Sequence, residues 1–257
     1  MRLTIRIAVV ALAAAGTLGL SAAGAQTCSA VCPWGYGPGN GPPVWGTLCC
    51  PVCDGNSQSP IDIRSDAAVP APELEPLAMV YRESHLEFFN TGKTLEAAYE
   101  LNDGENYLEV GGLRYPLSQF HFHSLSEHTI DGRHAPIELH LVHIRNSYDI
   151  AVVAVLIEEG QSRPAVNMLW STLPDSPKVE RRTVILDPEK LLPKDRSYYT
   201  YRGSLTTPSC AETVTWYVLA QPILMESEQI ERFRAIFAEN YRPTQALNGR
   251  VVRFKGE

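Results

Sequence analysis

From Val80 onward the chain is dominated by short segments in which apolar and polar residues alternate. A period of two is the pattern of a strand with one buried face. Leu86-Glu87-Phe88-Phe89 is one such segment, and residues 118–124, 138–143 and 213–219 are others. Residues 150–157 differ. They form an unbroken apolar, β-branched run, which predicts a central buried strand. Helical periodicity is scarce; its best instance is 227–239, where Ile230, Phe233, Ile236 and Phe237 share a face. The pattern predicts a mainly β domain with minor helices, uninterrupted by repeats or low-complexity linkers.

Two stretches fall outside this pattern. Arg2 and Arg6 precede an uncharged apolar run over 7–20, and Ala23-Gly24-Ala25 then gives a small-x-small cleavage signature. The run is shorter than the roughly 20 residues that span a bilayer. Residues 1–25 are therefore expected to be a cleaved signal peptide, with an uncleaved anchor as the alternative. No second apolar run of transmembrane length follows. The domain is expected over 26–257, with a Gly-, Pro- and Cys-rich segment at 26–56 packed on it as irregular structure. All six cysteines (Cys28, Cys32, Cys49, Cys50, Cys53 and Cys210) lie beyond the leader. An even number in an exported chain favours disulfides over a thiolate metal site, but sequence alone does not choose the pairing. The expected location is periplasmic or secreted. A net charge of −7, with no basic run beyond Arg181-Arg182, argues against nucleic acid as a partner.

Four of the seven histidines fall in two strand-like segments. His121 and His123 are two apart, so both imidazoles point to one face while Phe120 and Phe122 point to the other. In 138–143, Glu138, His140 and Val142 share a face and His143 takes the opposite one. If the two strands are neighbours, His140 completes a set of three. Three neutral nitrogens with an open fourth position describe a catalytic zinc site rather than a structural one. A lone His-x-His is weak, and His121-x-His123-x-x-x-Glu127 also matches the first metal motif of cupins. The Gly/Pro framework expected around the cupin motifs is missing here.

Several stretches, taken in order, resemble the alpha-class carbonic anhydrases. They are Trp34-Gly35-Tyr36-Gly37, Gln58-Ser59-Pro60-Ile61-Asp62-Ile63, Gln119-Phe120-His121-Phe122-His123, Ser126-Glu127-His128-Thr129, Glu138-Leu139-His140-Leu141-Val142-His143, and Ser204-Leu205-Thr206-Thr207-Pro208 with Trp216 following. They span 34–255, and Ser124 directly after His123 resembles the shorter bacterial members. The resemblance implies one domain on a large, twisted, mostly antiparallel central sheet, with zinc in a conical cleft. It implies the reversible hydration of carbon dioxide to bicarbonate and a proton, by attack of zinc-bound hydroxide on CO2. An esterase side activity would follow from the same hydroxide.

Residue by residue, the resemblance makes His121, His123 and His140 the Zn2+ ligands. Gln119 and Glu138 become the partners of His121 and His140, and His128 a buried histidine near Glu138 and Tyr201. Thr206 becomes the gatekeeper whose hydroxyl proton Glu127 accepts, and Thr207 a bicarbonate contact. Val142, Val152, Leu205 and Trp216 become the apolar wall that receives CO2. Bacterial relatives are often dimers, so a homodimer is an expected partner state.

Two departures stand out. The family's fast members place a histidine in an Asn-x-Gly-His stretch to export the proton, and here the stretch reads Asn90-Thr91-Gly92-Lys93. An exposed lysine titrates near about 10.4, too high for a shuttle at neutral pH. Tyr36 resembles a residue that orders water in the cleft; His85 and His134 are weak substitutes for the shuttle. Cys53 and Cys210 sit where many bacterial members carry a disulfide, although Cys50 is also placed to serve. Cys28, Cys32 and the neighbouring Cys49 and Cys50 are extra to the family pattern and are expected to brace the N-terminal segment.

Overall fold

In a computed structural model, residues 28, 32–99, 105–173 and 181–257 are described. The expected leader, 1–25, lies outside them. Among the described residues, thirteen strands join one sheet, ten of them along a continuous path. From one edge, the path runs Arg181–Leu186, Ser84–Asn90, Leu95–Ala98, Leu113–His123, Ile137–Asn146 and Asp149–Glu159. It continues through Val214–Leu219, Tyr198–Gly203 and Arg253–Lys255 to Val69–Pro70. Neighbours pair antiparallel except where Asp149–Glu159 meets Val214–Leu219 and Ile223–Met225, and where Arg253–Lys255 meets Val69–Pro70.

The sheet is buried on both faces at its centre. One face carries Phe120, Phe122, Leu139 and Leu141 into a large core. That core is closed by Trp170 of the helix Pro164–Ser171 and Phe233 of the helix Ser227–Ile236. The other face carries Val142, Trp216 and Val218. The run 150–157 divides between them: Ala151, Val153, Val155 and Ile157 enter the first cluster, Ile150, Val152 and Ala154 the second. That double burial, beside a parallel neighbour, is why this strand shows no alternation.

The helix expected over 227–239 ends earlier, at Ile236. Phe237 leaves helical backbone at φ −130°, and its ring packs 5.3 Å from that of Phe233. The chain then turns toward the sheet face that holds the histidines.

The N-terminal segment is more organised than its composition suggests. Trp45 is fully buried in a third apolar cluster with Cys49, Cys50, Cys53 and Cys210, with Trp34 and Tyr36 packed against it. The cysteines pair Cys28–Cys50, Cys32–Cys49 and Cys53–Cys210, leaving none free among the described residues.

His143, on the core side of its strand, receives a hydrogen bond from Tyr81 Oη at Nε2 (2.8 Å) and directs Nδ1 at the Ala151 carbonyl (3.3 Å). Burial lowers its pKa from 6.5 to about 3. The unfolded chain therefore binds a proton here before the folded one does. Stability from this group is complete above pH 6.5 and is lost as pH falls toward 3. The slope approaches about 1.4 kcal/mol per pH unit, so about 2 kcal/mol should disappear between pH 6.5 and 5. Urea unfolding of the zinc-loaded protein at both pH values measures this. An equal acid loss in His143→Gln would exclude His143 as its source.

Candidate metal centre

The three histidines singled out by their spacing meet on one face. His140 lies directly opposite His121 in the antiparallel pair, with Glu138 opposite His123. Their rings lie 4.7–5.2 Å apart, centroid to centroid. Available ligand atoms of His121, His123 and His140 fall within 4.8 Å of one another.

Each ring is oriented by an acceptor behind it. His121 Nδ1–H donates to Gln119 Oε1 at 2.7 Å, His123 Nδ1–H to the Asn240 carbonyl at 2.7 Å, and His140 Nε2–H to Glu138 Oε1 at 2.8 Å. These partners only accept, so they fix the tautomers. The lone pairs left are His121 Nε2, His123 Nε2 and His140 Nδ1. Burial, then repulsion from the other two histidines, holds the His121 pKa well below its ordinary value. Burial lowers His123 as well. Neutral imidazole is the form that binds a metal. For Glu138, burial alone raises the pKa, but His128 and His140 by charge and hydrogen bonding hold it well below the usual carboxylate range.

His123 Nε2 is buried with no hydrogen-bond partner, as is Glu127 Oε2, 3.5 Å from it and 3.9 Å from His140 Nδ1. Buried polar atoms are rarely left so. A cation among the three nitrogens gives His123 Nε2 a partner, so the residues present fit a metal. A second grouping, His128, Glu138 and His140, does not. His128 Nδ1 meets Glu138 Oε1 at 2.7 Å, His128 Nε2 meets Tyr201 Oη at 2.7 Å, and Glu138 Oε2 accepts from the His128 amide at 2.8 Å.

An apolar wall adjoins the nitrogens. Val142, Val152 and Trp216 stand side by side across three strands in direct register, with Leu205 packed against their cluster. The Trp216 ring lies 4.9 Å from that of His140. Thr206 is buried and Thr207 partly so, on a loop held by Leu205 N→Ala211 O (3.0 Å), Cys210 N→Thr207 O (2.7 Å) and the Cys53–Cys210 bridge. Glu127 Oε1 accepts from the Arg242 amide at 2.8 Å. Its Oε2 accepts nothing, so the bond from Thr206 that the resemblance implies is not formed here.

Lys93 is not the freely exposed lysine expected. It is partly buried, with Nζ 4.0 Å above the centre of the Trp34 ring, and burial lowers its pKa from the usual lysine value. His85 is exposed, and His134 bonds the Ser126 carbonyl at 2.6 Å. Two contributors, Asn240 and Arg242, act on the centre through backbone atoms. Backbone contacts have no residue signature, so no pattern in the sequence points to them.

The comparisons with known proteins fit this geometry. Residues 40–256 match the model of the eukaryotic-type carbonic anhydrase family. The chain is a member of the alpha-class carbonic anhydrases. It is similar to a carbonic anhydrase from Klebsiella pneumoniae (39% identical, covering 85% of this chain and 89% of that one). It is also similar to one from Nostoc sp. (36% identical, 85% and 84%). Among solved structures it resembles the alpha-carbonic anhydrase of Thermovibrio ammonificans, solved with the inhibitor sulfanilamide. The TM-score is 0.81 and the identity 42%, covering 87% of this chain and 99% of that one. The family excludes the cupin alternative for the His121, His123 and Glu127 pattern.

Proposed function

We propose that this chain is a zinc enzyme that hydrates carbon dioxide reversibly to bicarbonate and a proton. The observation that carries the reading is the set of three oriented nitrogens, that of His123 buried without a partner, beside an apolar wall and a buried carboxylate. Zinc bound by those nitrogens supplies Lewis acidity that brings the pKa of water down to about 7, a value long established for carbonic anhydrases as a class. Gln119, the Asn240 carbonyl and Glu138 fix the tautomers of the three rings and aim them. Val142, Val152, Leu205 and Trp216 exclude water and receive a substrate with no net dipole. The Thr206–Glu127 bond is not formed in this structure; in the working enzyme the Glu127 carboxylate, which can only accept, would accept a hydrogen bond from the Thr206 hydroxyl at Oε2 and leave Thr206 Oγ1 an acceptor toward the reacting oxygen. Thr207 contacts bicarbonate. The same chemistry supports an esterase side activity. Zinc analysis and CO2 hydration assays on the mature protein test the reading; bound zinc without hydration, or no zinc, sinks it.

Lys93 is a poor proton carrier by this reading, because its ammonium lies against an indole face that attracts cations. Proton export then runs through water or buffer. Lys93→His should raise turnover several-fold at low buffer and little at high buffer. Unchanged turnover at low buffer with zinc retained would refute this.

Export to a periplasmic or extracellular space, with 1–25 removed, is the location that best suits a chain whose six cysteines all form disulfides. Among the described residues, no helix is long and apolar enough to cross a membrane. An N-terminal sequence of the exported protein that begins before Ala23 would count against it.

A further inference from the structure

We infer that Arg242 is a positioning residue whose guanidinium fixes the backbone amide that holds Glu127 and ties it to the loop carrying Thr206. This rests on the hydration reading above. Residues 240–242 lack regular secondary structure, yet they deliver two backbone groups to the metal centre: the Asn240 carbonyl to His123 and the Arg242 amide to Glu127. A segment without a ladder of its own is placed by whatever grips its side chains. Asn240 is gripped at one end, where Oδ1 accepts from the Ser124 amide (2.7 Å) and Nδ2 donates to the Phe122 and Lys93 carbonyls (3.0 Å each).

Arg242 grips the other end. It is 2% exposed. Nη1 donates to Gln58 Oε1 (2.8 Å) and the Ser59 carbonyl (2.9 Å), Nη2 to the Cys53 carbonyl (2.7 Å), and the guanidinium faces the Trp45 ring at 5.6 Å. All three acceptors are neutral. Burying a cation this way is costly, and the charges of Glu127 and Asp54 offset part of that cost. What the guanidinium supplies is a rigid fork of donors. Its acceptors also brace the Thr206 loop. Gln58 Nε2 donates to the Cys210 carbonyl (3.2 Å), Ser204 Oγ donates to Gln58 Oε1 (3.3 Å), the Ser59 amide donates to Ser204 Oγ (2.9 Å), and Cys53 is bonded to Cys210. One side chain thus spans the two walls that carry Glu127 and Thr206.

The test uses zinc-loaded Arg242→Lys, which keeps the charge and loses the fork, and Arg242→Gln. Each is made alone and with Glu127→Gln. Bound zinc, thermal midpoint, kcat/KM for CO2 and inhibition by thiocyanate, an anion with no proton to donate, are measured. Both variants should retain zinc, lose about 10–100-fold in kcat/KM and bind thiocyanate more tightly. Neither should add a loss in the Glu127→Gln background, as expected of groups acting through one another. Full kcat/KM with only a lower midpoint, or an equal further loss beside Glu127→Gln, overturns the inference. If both variants fail to fold, Gln58→Met, which removes one acceptor of the fork, must show the same tighter thiocyanate binding; unchanged binding overturns it. Inactive wild type would instead refute the functional reading.

Discussion

His140→Ala is expected to lose zinc and CO2 hydration together. The variant removes one of three nitrogens and also one of the partners of buried Glu138. Losing only the acceptor behind a ligand typically costs about 10–100-fold in metal affinity or activity. Losing the ligand itself should exceed about 100-fold and bring hydration to background. His143→Gln is the matched control. It lies on the same strand, but its ring faces the opposite core and bonds Tyr81. It should keep its zinc and its rate. Metal analysis and hydration assays on both variants check the assignment. Retained zinc with full activity in His140→Ala would show that the centre is built from other residues.

The second large effect is on stability. Cys53 and Cys210 close a loop of sequence separation 157, and their bridge joins the buried Trp45 cluster to the loop of Thr206. Replacing both with serine should cost about 2–5 kcal/mol, because the open chain regains conformational freedom. For a domain of this size that is on the order of 10 °C in Tm. The Thr206 loop loses an anchor, so activity should fall at temperatures where the domain is still folded. Thermal unfolding of the double variant under oxidising conditions measures the cost. A midpoint within about 1–2 °C of wild type would mean that Gln58 and Arg242 hold the loop unaided.

Legible in the sequence is whatever depends on side-chain direction. The period of two around His121 and His123 places Phe120 and Phe122 in a core and the imidazoles on the other face, and the structure has this arrangement. The unbroken run at 150–157 marks a long strand buried on both sides. The helix Pro164–Ser171 is absent from the predicted elements, although Pro164 at its first turn is a start signal. Less legible is what depends on backbone atoms or on distant pairing. Asn240 serves His123 through a carbonyl, and any residue type has one. The surroundings of Lys93 depend on Trp34, brought in from the N-terminal segment, so a local reading makes the lysine exposed. The cysteine partners likewise depend on a fold that spacing does not encode.

The arrangement of the three bridges bears on how the chain matures when it emerges N-terminus first. Cys28, Cys32, Cys49, Cys50 and Cys53 appear early and close together, and Cys210 only much later. The pairs Cys28–Cys50 and Cys32–Cys49 can close as soon as this stretch emerges. Cys53 must wait as a lone thiol beside two neighbouring disulfides, with thiol–disulfide exchange open to it throughout. In the oxidising compartment proposed above, correct oxidation would be a race between arrival of the C-terminal half and scrambling of the N-terminal one, in which a disulfide isomerase would raise the yield of native protein.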